Sequence, residues 1–130
     1  MSTYGAEVTW QGGRDDLRAH TVRMAGQDLA CSSDDGDLDK ADPEEMLVGS
    51  ISACHMLWFL NRARTERLRV TSYTDSPEGE LEGERFTRVA LRPRVEFESD
   101  PGEETVRRLH EAAHERCYIA NSVNFPVVVE

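Results

Sequence analysis

Between Met46 and Leu60 nearly every position is apolar or small, and no polar stripe interrupts the run. A helix that is hydrophobic on all sides is one that is buried on all sides, so this segment predicts a central, enclosed helix. Its start is well marked. Asp42 can cap, Pro43 suits the first helical position, and Glu45 completes a capping box while both glutamates favour the positive helix end. The run turns polar at "NRARTERLR", which predicts a stop near residues 66 to 68.

The flanks carry a period of two. Residues 4–10, 17–24 and 27–31 read as strands of an antiparallel meander, with turns at "QGGRDD" and at Ala25-Gly26. In the second of these, Arg18, His20, Val22 and Met24 share one face. Residues 32–41, "SSDDGDLDKA", form an acidic loop. Beyond the helix, 69–75 and 79–98 predict further strands, with Val89, Leu91, Val95 and Phe97 on one face. Pro93 falls on that face but cannot donate to a ladder, which implies an edge or a bulge. A second helix is expected over 101–117, where Asp100-Pro101-Gly102-Glu103 repeats the helix-start grammar, and a short strand closes the chain. Strands, buried helix, strands, helix and strand make an α+β fold, expected as a single domain over residues 1–130.

Composition narrows the function classes. With 25 acidic against 15 basic residues the formal charge is −10, a field that repels phosphate backbones and anionic headgroups, so neither nucleic acid nor membrane is an expected partner. The longest apolar run falls short of a membrane span and no secretory segment is visible, which implies a soluble, cytoplasmic protein. Three cysteines, Cys31, Cys54 and Cys117, stand far apart without a CxxC pair. That pattern argues against a disulfide scaffold and a four-thiolate zinc site and leaves reactive or merely buried thiols.

Two motifs carry chemistry. "HEAAH", residues 110–114, matches the zinc-hydrolase pattern, in which two histidines at i and i+4 hold the metal and the glutamate acts as base. A third ligand is required, and Cys117, about one turn on, would crowd the metal from the same helix. Val106, Leu109, Ala113 and Cys117 cluster on one face, so core packing with histidines at the margin is the better reading. The second motif is Cys54 inside "ISACHMLWFL". A lone cysteine in an apolar helix is usually inert filler, but Cys117 also lies on an apolar helix face, and two such thiols can meet as attacking and resolving partners. Cys31 reads as a half-buried strand thiol, and His55 as a neighbour of Cys54 rather than its base.

"DPEEMLVGSISACHMLWFL", followed by a second helix ending "AAHERCYIANSV", resembles the OsmC/Ohr family, the osmotically inducible protein C and organic hydroperoxide resistance proteins. The shared pattern is an Asp-Pro-Glu helix start at Asp42, Pro43 and Glu44, a small-residue stretch over 49–53, Ala-Cys at Cys54, and a late second cysteine, Cys117. Tyr118 stands where the hydroperoxide branch commonly has proline. The resemblance implies a thiol-dependent peroxidase that reduces organic hydroperoxides. Cys54 would attack the peroxide and Cys117 resolve the product as a disulfide, which an external dithiol reduces, with no metal or organic cofactor.

Because an apolar interior raises a thiol pKa, a nearby cation is needed. The family supplies an arginine from the N-terminal strand region, held by the helix-start glutamate. Glu44 matches the glutamate. "GGRDD" points to Arg14, whereas strand alternation offers Arg18. Ten residues of continuous helix separate Glu44 from Cys54 by about 15 Å, so either the helix breaks near Gly49 or the glutamate serves a second subunit, in keeping with the family's intertwined homodimers. Two rivals remain: a non-catalytic member of the fold that binds a small apolar ligand or partner, and a zinc hydrolase acting through His110, Glu111 and His114.

Overall fold

The computed structural model describes residues 1–33 and 36–130; Asp34 and Asp35 of the expected acidic loop lie outside the described residues. The chain divides into two compact units, Met1–Met46 and Leu47–Glu130. The first holds an antiparallel meander of β1 (Glu7–Thr9), β2 (His20–Met24) and β3 (Gln27–Cys31) in the order β1-β2-β3. The β2–β3 hairpin closes through Ala25 and Gly26, both at positive φ (52° and 76°), the backbone a two-residue hairpin needs to match strand twist. β2 begins three residues later than its alternation suggests. Asp16 explains the delay: its Oδ1 accepts the backbone N–H groups of Arg18 and Ala19 at 2.8 and 2.9 Å, folding residues 16–19 into a local turn. Cys31, expected to be half-buried, is fully enclosed, because the chain after it returns and Ala41 pairs with it in an isolated parallel bridge.

Helix α1 runs unbroken from Pro43 to Thr65. The capping box forms as its residues predict: Glu45 N–H donates to Asp42 Oδ1 at 2.7 Å, and Asp42 N–H donates to Glu45 Oε1 at 3.1 Å. The other end has no glycine. Arg67 takes the left-handed conformation (φ 60°) while Leu68 N–H bonds back to Ala63 C=O at 2.9 Å, a Schellman closure in which Leu68 packs onto the helix's own apolar cluster. Burial of α1 is one-sided: Ile51, His55, Phe59 and Ala63, at i, i+4, i+8 and i+12, are enclosed, whereas Gly49, Ser50, Ala53 and Leu57 are exposed. The all-round enclosure expected from its composition is not realised within one chain.

In the second unit β4 (Val70–Thr74) pairs antiparallel with β7 (Arg94–Phe97), and β5 (Glu78–Glu82), β6 (Arg85–Leu91) and β8 (Val127–Val129) form a second sheet in which β5–β6 is antiparallel and β6–β8 parallel. The strand signals expected over 79–98, with an edge or bulge at Pro93, resolve into three strands. Gly83 turns β5 into β6, and Pro93, unable to donate, marks where the chain leaves one sheet and enters the other. Helix α2 (Glu103–Arg116) starts after Gly102, and Cys117 forms its C-cap. Two apolar clusters result. Ile51, Val89, Leu91 and Val127 form one; Phe59, Ala63, Leu109 and Ala113 form the other, flanked by Val95 and Phe97. No helix among the described residues is long and apolar enough to cross a membrane.

Gly79 is held in its place by packing. A Cβ there would stand 2.7 Å from Phe86 Cε1 and 2.8 Å from Val48 Cγ2. Gly79→Ala should therefore destabilise the protein by about 1–3 kcal/mol, read as a lower urea midpoint at unchanged slope. An unchanged midpoint would show that these neighbours yield freely.

Candidate functional site

The packing of α1 against α2 determines which side chains meet. Glu66, just past α1, accepts both guanidinium nitrogens of Arg108 on α2 (2.6 and 2.7 Å) and Arg62 Nε at 2.8 Å, which holds its carboxyl at about 2. This clamp and the Phe59–Ala63–Leu109–Ala113 cluster fix the register of the two helices. With that register set, the free thiol of Cys117 at the end of α2 lies beside that of Cys54 on α1.

Cys117 is 1% exposed, whereas Cys54 is half-buried. Cys117 Sγ lies 3.9 Å from the carbonyl oxygen of Ile51 and accepts Ala120 N–H at 3.5 Å. Its pKa is raised above the ordinary thiol value chiefly by burial, with the Cys54 thiol pushing the same way and the Ala120 N–H opposing. Cys117 is thus protonated at neutral pH, and the more open sulfur is Cys54.

Beside the thiols runs a buried histidine pair that composition alone did not reveal. His55 is 1% exposed, and its Nε2 lies 2.9 Å from Nδ1 of His110, with the rings 5.2 Å apart and nearly parallel. It occupies the step of the buried α1 stripe between Ile51 and Phe59, so it separates the two apolar clusters. Ile51, His55, Phe59 and Ala63 share one face by their i, i+4 spacing, but the apolar residues on every other face leave that phase unmarked in the sequence. Burial pushes the His55 pKa down to about 4, helped by His110 and His114 and opposed by Asp75. Burial likewise lowers His110. Nδ1 of His55 has no partner among the described residues, as does the hydroxyl of Tyr73. A donating Nε2–H on His55 leaves only an acceptor lone pair unmet, the less costly tautomer. Asp75 is fixed by Ser52 Oγ–H at 2.5 Å and by Arg92 N–H at 2.7 Å.

The remaining expected residues fall as follows. Arg14, Arg18 and Glu44 are all exposed and belong to the first unit. Arg14 follows Gly12 and Gly13, both at positive φ (88° and 110°), so the Gly-Gly turn predicted before it is present. α1 does not break near Gly49, so Glu44 stands about 15 Å along the axis from Cys54 of its own helix. The HEAAH motif does not assemble a metal site: Nδ1 of His110 faces His55, His114 is exposed, Cys117 turns to Cys54, and no group of three or more His, Cys, Asp or Glu among the described residues could hold an ion. Tyr118, after Cys117, meets Trp58 edge-on at 5.5 Å.

The OsmC-like protein family model matches residues 34–130. The chain belongs to that family. It is similar over its whole length to an OsmC-like protein of unknown function from Vibrio cholerae, with 36% identity, 100% of this chain and 99% of that chain covered, and a TM-score of 0.88. The fold is shared with organic hydroperoxide resistance proteins from Elizabethkingia anophelis (20% identity, 99% and 97% covered, TM-score 0.73) and Bacillus subtilis (20%, 98% and 97%, TM-score 0.68). No curated protein matches the chain.

In the unfolded chain His55 would take up a proton near pH 6.5, whereas in the folded protein it resists until about 4. The unfolded state binds more protons in that window, so stability is complete above pH 6.5 and falls by up to about 3 kcal/mol as pH drops toward 4. Urea unfolding at pH 7.5, 6 and 5 should show the decline, and His55→Leu should flatten it. An equal slope in the variant would assign the decline to other groups.

Proposed function

We propose that this protein is a thiol-dependent peroxidase that reduces organic hydroperoxides, working as a homodimer in the cytoplasm, with residues 1–130 as one OsmC-like domain. The observation that carries the reading is the contact between two free thiols delivered by different helices, one half-open and one sealed. Family membership and the fold shared with organic hydroperoxide resistance proteins support it.

The Cys54 thiolate attacks one oxygen of the hydroperoxide. The O–O bond breaks, the alkoxide leaves and takes up a proton as the alcohol, and Cys54 becomes a sulfenic acid. Cys117, already in contact, attacks that sulfur as it loses its proton; hydroxide leaves as water and an intramolecular disulfide forms. An external dithiol reduces the disulfide by two exchange steps and closes the cycle with two electrons. Cys117 suits the resolving role because burial keeps it protonated and out of reach of the peroxide in the first step.

Ionising Cys54 in apolar surroundings calls for a cation, and Arg14, with Arg18 as the alternative, supplies it, held by Glu44. Since α1 is continuous, the glutamate serves the thiol of a second copy packed across a twofold axis. The exposed small face of α1, Gly49, Ser50 and Ala53 with Leu57, is the surface on which two such helices close, completing the burial one chain leaves undone. No metal or organic cofactor enters this scheme.

Hydroperoxide consumption driven by a small dithiol tests the proposal. Cys54→Ser should fall to the rate of dithiol alone; in the absence of dithiol, Cys117→Ser should consume one equivalent and form no internal disulfide, where wild type forms one. Full activity in Cys54→Ser would sink the reading. Arg14→Gln should move the acid limb of the pH–rate profile upward while Arg18→Gln leaves it in place, and the reverse result assigns the role to Arg18.

A further inference from the structure

The far end of α1 carries a concentration of positive charge that the thiol chemistry does not use. Arg62, Arg64, Arg67 and Arg69 are four of the 15 basic residues in a chain of net charge −10. Arg64, Arg67 and Arg69 stand around a hollow of about 390 Å³ whose floor is Leu60, Leu68 and Val70. The floor is held in place because all three pack onto the Phe59–Ala63–Leu109–Ala113 cluster, whereas the three arginines are exposed. Arg64 is ten residues from Cys54, about 15 Å along the helix axis, so the hollow is separate from the thiols.

These cations are poorly matched by carboxylates of the chain. Glu66 is taken by Arg62 and Arg108. Arg69 reaches Glu98 only at 3.9 Å, between side chains 77% and 64% exposed, a contact that stabilises little. Arg64 and Arg67 make no ion pair among the described residues. The negative pole of α1 accounts for Arg64, which lies in its last turn, but Arg67 and Arg69 follow the helix. Arg67 also has a backbone reason to be glycine. It holds φ at 60°, and the closure there, Arg67 N–H to Arg64 C=O at 3.0 Å and Leu68 N–H to Ala63 C=O at 2.9 Å, uses main-chain atoms alone. A side chain in that conformation costs stability without adding to the closure.

We propose that this hollow binds an organic phosphate monoester, with Arg64, Arg67 and Arg69 on the phosphate and the organic group against Leu60, Leu68 and Val70. A phosphate monoester presents three acceptor oxygens and nearly two negative charges at neutral pH, and guanidinium forks match that geometry. A carboxylate brings one charge and leaves the cluster under-neutralised. A compact dianion also suits a ring of three cations better than an extended acidic peptide does. The inference stands apart from the peroxidase reading and uses none of its residues.

Thermal unfolding at fixed ionic strength, in wild type and Arg67→Gly, tests the site with phenyl phosphate, inorganic phosphate and benzoate. Phenyl phosphate at about 20 mM should raise the wild-type Tm by about 4 °C, the shift expected at about ten times Kd. Inorganic phosphate should shift it less, and benzoate not at all. Without ligand, Arg67→Gly should melt at or above the wild-type temperature, since glycine suits φ 60°, yet its phenyl phosphate shift should vanish. A variant that melts below wild type would make Arg67 a structural residue and overturn the proposal, as would a phenyl phosphate shift retained in Arg67→Gly. Absence of a shift in wild type, or equal shifts from phenyl phosphate and benzoate, overturns it as well. Equal shifts from phenyl and inorganic phosphate overturn the assignment to an ester and the role of the apolar floor.

Discussion

One stripe of α1 organises the second unit. Ile51, His55, Phe59 and Ala63 face inward at every fourth position and meet three sets of neighbours: the β5-β6-β8 sheet at Ile51, a second imidazole at His55, and α2 with the β4–β7 pair at Phe59 and Ala63. α2 can dock only where Leu109 and Ala113 fit that stripe and where Arg108 finds Glu66. Because Cys117 caps α2 and Cys54 lies one position off the stripe, the contact between the thiols is a by-product of hydrophobic registration and costs no dedicated structure. The same registration seats two imidazoles in the core, which is tolerable only while they are neutral.

Much of this was legible in the chain. The start of α1 was, because a capping box is local chemistry: Asp42 and Glu45 satisfy each other's N–H groups whatever the rest of the protein does. The cysteine pair was legible through the resemblance of its motif and through its placement on two apolar helix faces. What escaped were features decided at long range. Arg67 closes α1 in a conformation that favours glycine because Leu68 gains a place in the apolar cluster, a tertiary reward that no local signal announces. Pro93 was read as a disturbance within a strand, whereas it is a change of sheet, since alternation continues across it unaltered. The inward turn of His55 was hidden by the uniformly apolar surroundings, which offer no polar stripe to set the phase of the helix.

The same uniformity explains why α1 looked enclosed on every side. Its composition reports the sum of all faces it can bury, and a single chain covers only one of them. Exposed Leu57 beside Gly49, Ser50 and Ala53 is the remainder. The polar face of α2, by contrast, carries Arg107, Arg108, Glu111 and Glu115 and matches its exposed positions.

The chain also threads both apolar clusters twice, once along α1 from Ile51 to Phe59 and once along the strands from Leu91, past Pro93, to Val95. Neither cluster can come apart without dragging on a rigid span that the other still grips. Local opening is thereby penalised relative to complete loss of structure.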